Sequence, residues 1–365
     1  MKKVLVVFGT RPEAIKMCPV INELKKRRNI DVYTCISGQH RDLIMPVLER
    51  FGVDFDYNLN IMKEDQTLFD ITAKILEKIR DVLLKVSPDI VLVHGDTSTA
   101  FSTALAAFYM GVPVGHVEAG LRSGNVFEPY PEEFNRRAIS LISRYDFAPT
   151  EAAKENLLRE GKKENGIFVT GNTVIDALKT TVTDRYVHKE LEWAGNGKLI
   201  LLTSHRRENV GESQKEIFRA VKRVAKERED VRIIFPMHPN PKIRNVAEEE
   251  IGGVKNIHLI EPLDVMDFHN FLSKSYMIIT DSGGIQEEAT ALGKPVLVLR
   301  NNTERPEGVE TGSLKLVGTN ENNIYKNFLC LLEDENLYNR MSTAKNPYGD
   351  GSASVQIADI IERMV

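Results

Sequence analysis

Val4-Leu5-Val6-Val7-Phe8-Gly9-Thr10-Arg11-Pro12-Glu13-Ala14-Ile15-Lys16 holds the pattern of the whole chain: five apolar residues, a glycine turn, then an amphipathic stretch over 14–27. An unbroken apolar run has no polar face to offer water, so it reads as a strand buried on both sides, and the 14–27 stretch as the helix that covers it. The same order recurs along the chain. The run 32–36 precedes a helical 42–51, 90–94 precedes 98–110, and 114–117 precedes a loop and a helix near 132–142. After 167–170 the pattern pauses in a charged stretch containing Trp193, Gly195 and Gly197. It restarts at 199–203, 231–235, 257–260, 277–280 and 295–299, with helical segments between. Apolar strands alternating with helices predict parallel sheets covered on both faces. Two such series predict an α/β chain of two doubly wound, Rossmann-like domains facing a cleft, with boundaries at 1–172 and 173–353.

Size and composition agree with that reading. A chain of 365 residues exceeds one hydrophobic core, and 42% hydrophobic with 27% charged residues is globular composition, which excludes disorder. The net charge of -4 is too small to predict a nucleic-acid partner or a membrane surface. No apolar stretch approaches the roughly 20 residues that span a bilayer, and the short apolar start meets Gly9-Thr10-Arg11 instead of a small-residue cleavage site. Cys18, Cys35 and Cys330 lie far apart without a CxxC pair, so neither a disulfide framework nor a cysteine zinc site is predicted. The expected location is cytoplasmic.

Open parallel sheets bind ligands beyond the carboxyl ends of their strands, so the residues after each run carry the functional reading. Thr280-Asp281-Ser282-Gly283-Gly284-Ile285-Gln286-Glu287-Glu288 leaves a strand and opens a helix. The glycines allow close approach to the backbone, and the free N–H groups with the helix dipole favour an anion. Ser282 adds a donor, and Glu288, one turn in, suits ribose hydroxyls. A plain strand-to-helix turn with a capping serine is the alternative. Arg305 and the pair Arg206-Arg207 offer forked donors to the same anion, or else surface pairing with neighbouring glutamates. Neither GxGxxG after a strand nor GxxxxGK[ST] occurs, so the ligand is a substrate and no cofactor is predicted.

The other strand ends carry carboxylates. Asp96 follows His94 by two residues, and Glu118 follows His116 by two. Metal ligation by these pairs is one reading, and acid–base chemistry is the better one, so no metal is predicted. Glu132 follows Pro129-Tyr130-Pro131, with Pro131 suited to a first helical position. Salt bridges from Glu132 and Glu133 to Arg136 and Arg137 are the structural alternative.

Together these residues resemble the non-hydrolysing UDP-N-acetylglucosamine 2-epimerases, which have the glycosyltransferase-B architecture. The resemblance runs nearly end to end, through Gly9–Lys16, His94-Gly95-Asp96-Thr97, Glu118-Ala119-Gly120-Leu121-Arg122, Pro131-Glu132-Glu133 with Asn135-Arg136, Ser204-His205-Arg206-Arg207-Glu208, Asp281–Glu288 and Thr303-Glu304-Arg305-Pro306-Glu307. It implies that Asp96, Glu118, Glu132 and His205 are catalytic, with Arg11, Lys16 and Arg136 at the sugar. It implies that Phe268, Ser282, Gly283, Gly284, Glu288 and Arg305 contact the uridine diphosphate. A C-terminal helix over 354–365 returning to the first domain, and a homodimer, are further implications. Bacterial relatives use a second UDP-GlcNAc as activator. Gln39 and His238 match that second-site pattern, whereas Asp42 and Asp65 replace a glutamine and an arginine and would repel its phosphates.

The implied reaction is reversible C2 epimerisation of UDP-N-acetylglucosamine to UDP-N-acetylmannosamine through a 2-acetamidoglucal. Rival readings are a hydrolysing epimerase, an epimerase for a UDP-diacetamido-uronate, and a sugar transferase of the same architecture.

Overall fold

Val4 to Phe8 are fully buried, as a run without a polar face requires, and they lie at the centre of a parallel sheet. The computed structural model describes residues 1–364 other than Gln39, His40, Glu64, Asp65, Arg207, Glu208 and Glu304, and of Arg41 and Asp42 the backbone alone. Among the described residues the first sheet comprises β1 (Lys2–Phe8), β2 (Ile30–Ile36), β3 (Tyr57–Asn58), β4 (Ile90–His94), β5 (Val114–Val117), β6 (Tyr145–Ala148) and β7 (Ile167–Val169). Their order is β3-β2-β1-β4-β5-β6-β7, with every neighbouring pair parallel. The order reverses between β1 and β4, the switch point where an open sheet leaves room for a ligand.

Local chemistry sets where the helices begin. The helix Arg11–Lys25 starts from a reciprocal cap: the Thr10 side chain accepts from the Glu13 N–H, and the Glu13 carboxylate accepts from the Thr10 N–H. The helix Leu68–Val86 uses Thr67 and Asp70 in the same way and stops at Ser87 in the left-handed region. Ile75, Ile79 and Leu83 from this helix, with Ala100, Ala104 and Ala107 of the helix Ser98–Tyr109, cover Leu5, Val7, Val91 and Val93 of the sheet.

The second sheet comprises β8 (Lys198–Thr203), β9 (Val231–Pro236), β10 (Ile257–Ile260), β11 (Met277–Thr280), β12 (Val296–Val298) and β13 (Leu314–Leu316). The order is β10-β9-β8-β11-β12-β13, again all parallel, with the reversal between β8 and β11. Ile217, Val221 and Val224 of the helix Glu212–Glu227 and Phe328 and Leu331 of the helix Glu321–Glu333 pack on one face. Phe271 and Leu272 of the helix Val265–Lys274 and Ala289 of the helix Gly283–Ala291 pack on the other.

The chain divides into a unit of Met1–Lys179 with Tyr348–Val365 and a unit of Thr180–Pro347. The divisions therefore fall seven residues after 172 and six before 354. Val174, Ile175, Ala177 and Leu178 of the helix Thr173–Thr181 are buried, which keeps most of that helix with the first unit. The helix Ala353–Met364 packs against Arg11–Lys25. It is tied down by Lys2 Nζ to the Glu362 carbonyl at 2.7 Å, by Arg27 to Asp359 at 2.6 Å and by the Tyr145 hydroxyl to the Met364 carbonyl at 3.1 Å. Among the described residues no helix is long and apolar enough to cross a membrane.

Candidate active site

In dinucleotide folds the turn after the first strand gives its N–H groups to a pyrophosphate. Here that turn is already occupied by the chain's own carboxylate. Glu13 Oε2 accepts from Gly9 N at 3.0 Å and Thr10 N at 2.8 Å, and Oε1 accepts from the Thr97 hydroxyl at 2.8 Å. Glu13 is buried, and burial pushes its carboxyl above the usual range while the three hydrogen bonds pull it back. A phosphate placed there would meet a carboxylate, so the first unit is closed to a dinucleotide at its switch point. The bond to Thr97 also ties the end of β1 to the start of the helix after β4.

Asp96 and Glu118 follow neighbouring strand ends, since β4 and β5 are paired with His94 against Val117. Each carboxylate has a cation. Arg136 Nη2 hydrogen-bonds Asp96 Oδ2, and Asn135 Nδ2 holds the Asp96 carbonyl at 2.8 Å. Lys16 Nζ hydrogen-bonds Glu118 Oε2, and Asn172 Nδ2 donates to the same oxygen at 3.0 Å. Glu118 adopts φ +64, a left-handed conformation that a residue bearing a Cβ enters at a cost of about 1 kcal/mol or more. That strain persists only because the surroundings dictate it. Asp96 keeps 26% of its side chain exposed and Glu118 10%, so both remain within reach of a ligand.

Glu132 and Glu133 part company in the structure. Glu133 is fully buried and accepts from Arg137 Nε at 2.8 Å, Arg136 Nη1 at 3.3 Å and the Ser123 N–H at 3.1 Å. Glu132, the first residue of the helix Glu132–Ile142 after Pro131 at the cap, is half-buried, and its side chain has no hydrogen-bond or ion-pair partner among the described residues. The structural alternative thus holds for Glu133 and leaves Glu132 open for chemistry. Pro131 stands one position earlier than the first helical residue, since Glu132 already carries helical geometry. Arg11 is exposed at the first position of its helix.

His116 is not arranged as a metal ligand. Its Nε2 donates to the Gly95 carbonyl at 2.6 Å in a fully buried setting, and burial pushes the imidazole down to about 3. Below the ordinary histidine value of 6.5 the unfolded chain binds a proton that folded His116 refuses until about 3. Stability should therefore fall as pH drops through that window. Denaturant unfolding at about pH 7 and about pH 5 is expected to show a smaller loss for His116→Gln than for the wild type.

The second unit repeats the arrangement of the first. Asp281, fully buried just after β11, accepts from His205 N at 2.9 Å, Arg206 N at 3.0 Å and Asn209 Nδ2 at 3.0 Å. The turn after β8 is thus also filled by a protein carboxylate. The adjoining helix starts at Ser282-Gly283-Gly284, where Ser282 makes no side-chain cap, a geometry that suits an anion. His205, 40% exposed, has Nδ1 3.4 Å from Asp281 Oδ1. Its ring stacks on that of His238 with centroids 5.8 Å apart, and burial together with His205 pushes His238 below its ordinary value. His238 is therefore a neighbour of His205 at the strand ends. Gln39 and Asp65 lie outside the described residues, as does the side chain of Asp42.

Arg305 is buried with Nε 2.8 Å from Glu287 Oε1, itself buried. Glu288 lies 3.7 Å from Nε2 of buried His269, whose Nδ1 contacts the Thr181 hydroxyl at 2.7 Å. Phe268, on the helix Val265–Lys274, is half-buried against the second unit's core. Sequence reading assigned nothing to Asn172, Asn209 or the carboxylate of Glu13. Only the capping pattern of Thr10 with Glu13 signals one of them, because the other two act through residues distant in the chain.

Among the described residues no group of three or more His, Cys, Asp or Glu side chains is gathered as a metal site. A family model described as UDP-N-acetylglucosamine 2-epimerase matches residues 22–362. A Bacillus subtilis (strain 168) protein of that name is 56% identical over 357 residues, covering 98% of this chain and 94% of its own. A Neisseria meningitidis UDP-GlcNAc 2-epimerase, solved bound to UDP-GlcNAc, is similar at 48% identity and TM-score 0.92, over 99% of this chain and 100% of that one. The Methanocaldococcus jannaschii UDP-GlcNAc 2-epimerase, solved with UDP-GlcNAc and UDP, is similar at 38% identity and TM-score 0.82 over 99% of each. With two switch-point sheets, paired carboxylates in one unit and an uncapped helix start in the other, the chain belongs to the UDP-N-acetylglucosamine 2-epimerase family.

Proposed function

We propose that the protein interconverts UDP-N-acetylglucosamine and UDP-N-acetylmannosamine by eliminating and re-adding UDP. The observation that carries this is the pair Asp96 and Glu118 at adjacent strand ends, each held by a cation and each still accessible. The hydrogen at C2 has no neighbouring carbonyl to acidify it, so it must leave as the C1–O bond breaks. A carboxylate takes the C2 proton, the electron pair forms the C1–C2 double bond of 2-acetamidoglucal, and UDP departs with the C1–O pair. Proton delivery to the other face of C2 and return of UDP to C1 complete the exchange. Asp96, Glu118 and Glu132 supply the acid and base groups. His205, Arg305 and the Ser282-Gly283-Gly284 helix start stabilise the charge on the departing diphosphate. Glu288 and Phe268 hold the ribose and uracil, and Arg11 and Lys16 the sugar.

The same reading places the reaction in the cytoplasm and includes a homodimer. Support for the latter comes from exposed Phe69, Phe108, Tyr109 and Leu141, carried by three helices that pack side by side. Light scattering should then report twice the 41.2 kDa of the chain. The function itself is checked by incubating the purified protein with UDP-GlcNAc and resolving the anomeric protons of both epimers by NMR. Both epimers should reach a constant ratio from either side without free UDP accumulating. UDP released in step with N-acetylmannosamine would instead identify the hydrolysing reaction.

A further inference from the structure

Asn172 connects three parts of the first unit that are distant in sequence. It lies just before the helix Thr173–Thr181, and its Oδ1 accepts from the Val174 N–H at 3.1 Å, as a helix-capping side chain does. That bond fixes the orientation of the amide, since only an oxygen can accept there, and so Nδ2 is the end that meets Glu118 Oε2 at 3.0 Å. The backbone N–H of Asn172 donates to the Tyr348 carbonyl at 2.7 Å, where the chain returns to this unit. Gly171 and Gly349, at φ +87 and +113, make that crossing narrow: a Cβ on Gly171 would lie 3.0 Å from Gly349 Cα. The amide is 2% exposed and fastened at both ends.

We propose that Asn172 is a positioning residue for Glu118, its amide N–H fixing the carboxylate that exchanges the proton at C2. The inference rests on the proposed epimerisation. Three groups converge on one oxygen of Glu118: Lys16, Asn172 and His94, whose Nε2 lies 3.4 Å away without hydrogen-bond geometry. Lys16 supplies charge, but on a flexible stem. Asn172 supplies direction, because its own conformation is set by the helix cap and the Tyr348 crossing. A glutamate in the left-handed region has few ways to aim its side chain, and this one is aimed from outside.

The test separates the cap from the positioning bond. Asn172→Asp and Asn172→Ser both keep an oxygen for the Val174 N–H, and both are good helix caps. Neither keeps the N–H donor to Glu118. With positioning lost, kcat for epimerisation should fall by about 10- to 100-fold while KM changes less than about threefold. Asn172→Asp also sets a carboxylate against Glu118, among Lys16, His94 and nearby His116. Two carboxylates about 3 Å apart do not both ionise, so the acid limb of its kcat–pH profile should move up by about one unit or more. That shift follows from proximity alone, so Asn172→Ser, which adds no charge, is the variant that reads positioning. Its kcat should fall with the acid limb in place, whereas a merely structural residue would leave kcat of the folded variant unchanged. Wild-type kcat and pH profile in either variant would overturn the proposal. Failure of both to fold, with the cap retained, would assign Asn172 to structure alone and overturn it as well. If instead the wild type does not interconvert the two epimers, the proposed function is what fails.

Discussion

Asp96→Asn and Glu118→Gln are each expected to lower kcat by about 10²- to 10⁴-fold, the range of a positioned acid or base, while UDP affinity stays within about threefold. Both substitutions preserve shape while removing the capacity to exchange a proton and the charge that pairs Asp96 with Arg136 and Glu118 with Lys16. Asp96 and Glu118 belong to the first unit, whereas the helix start, His205 and Arg305, which the proposed function assigns to the diphosphate, belong to the second. Ground-state binding of UDP should therefore be largely indifferent to them. Steady-state kinetics with UDP-GlcNAc and calorimetric titration with UDP check the two halves of this expectation. Loss of UDP binding with kcat preserved would reassign the carboxylates as ligand anchors.

A second large effect is expected in stability. Asp281→Ala removes a fully buried carboxylate that accepts from two backbone N–H groups and from Asn209. Each buried donor left without a partner costs about 1–3 kcal/mol, so the loss of three comes to at least about 3 kcal/mol. For a unit of this size that corresponds to a fall in Tm of roughly 10 °C. The turn carrying His205 and Arg206 loses its anchor in the same step, and UDP affinity should fall with it. Asp281→Asn retains one acceptor oxygen and is expected to be intermediate. Thermal melting with and without UDP measures both. A variant melting within about 2 °C of the wild type would mean that other groups hold this turn, since about 2 °C is under 1 kcal/mol at this size.

Glu13 and Asp281 express one principle in two units. Both sheets run outward from a central first strand and reverse beside it, which leaves a concave strand end with free backbone N–H groups. In each, a buried carboxylate takes those groups: Gly9 and Thr10 in the first, His205 and Arg206 in the second. In the second unit Asp281 leaves the adjoining helix start at Ser282 uncapped. The asymmetry between the units is chemical more than architectural.

Much of this was legible in the chain itself. Long apolar runs such as Val4–Phe8 announce central strands, because nothing but a two-sided core accepts them. Shorter strands hide. Tyr145-Asp146-Phe147-Ala148 forms β6 with Asp146 fully buried, which periodicity cannot anticipate; Ser143 at 2.7 Å and Lys162 at 2.9 Å satisfy it, and both come from outside the strand. Leu314-Lys315-Leu316 at the sheet edge and Tyr57-Asn58 are too brief to carry a pattern. At the site, Asp96 and Glu118 stood out by following strands, whereas Asn172 did not. Its role comes from a carboxylate 54 positions away and a carbonyl brought close by the returning chain. The separation of Glu132 from Glu133 likewise needed the side chains, since either spacing suits a salt bridge on a helix.

On the proposed function the first unit's carboxylates exchange the proton at C2 while UDP is detached. Conversion of UDP-GlcNAc in heavy water, followed by NMR of the C2 position, tests it most directly. UDP-N-acetylmannosamine should form with deuterium at C2, and no more slowly labelled than it is made. Product that retains its original hydrogen at C2 would contradict the account.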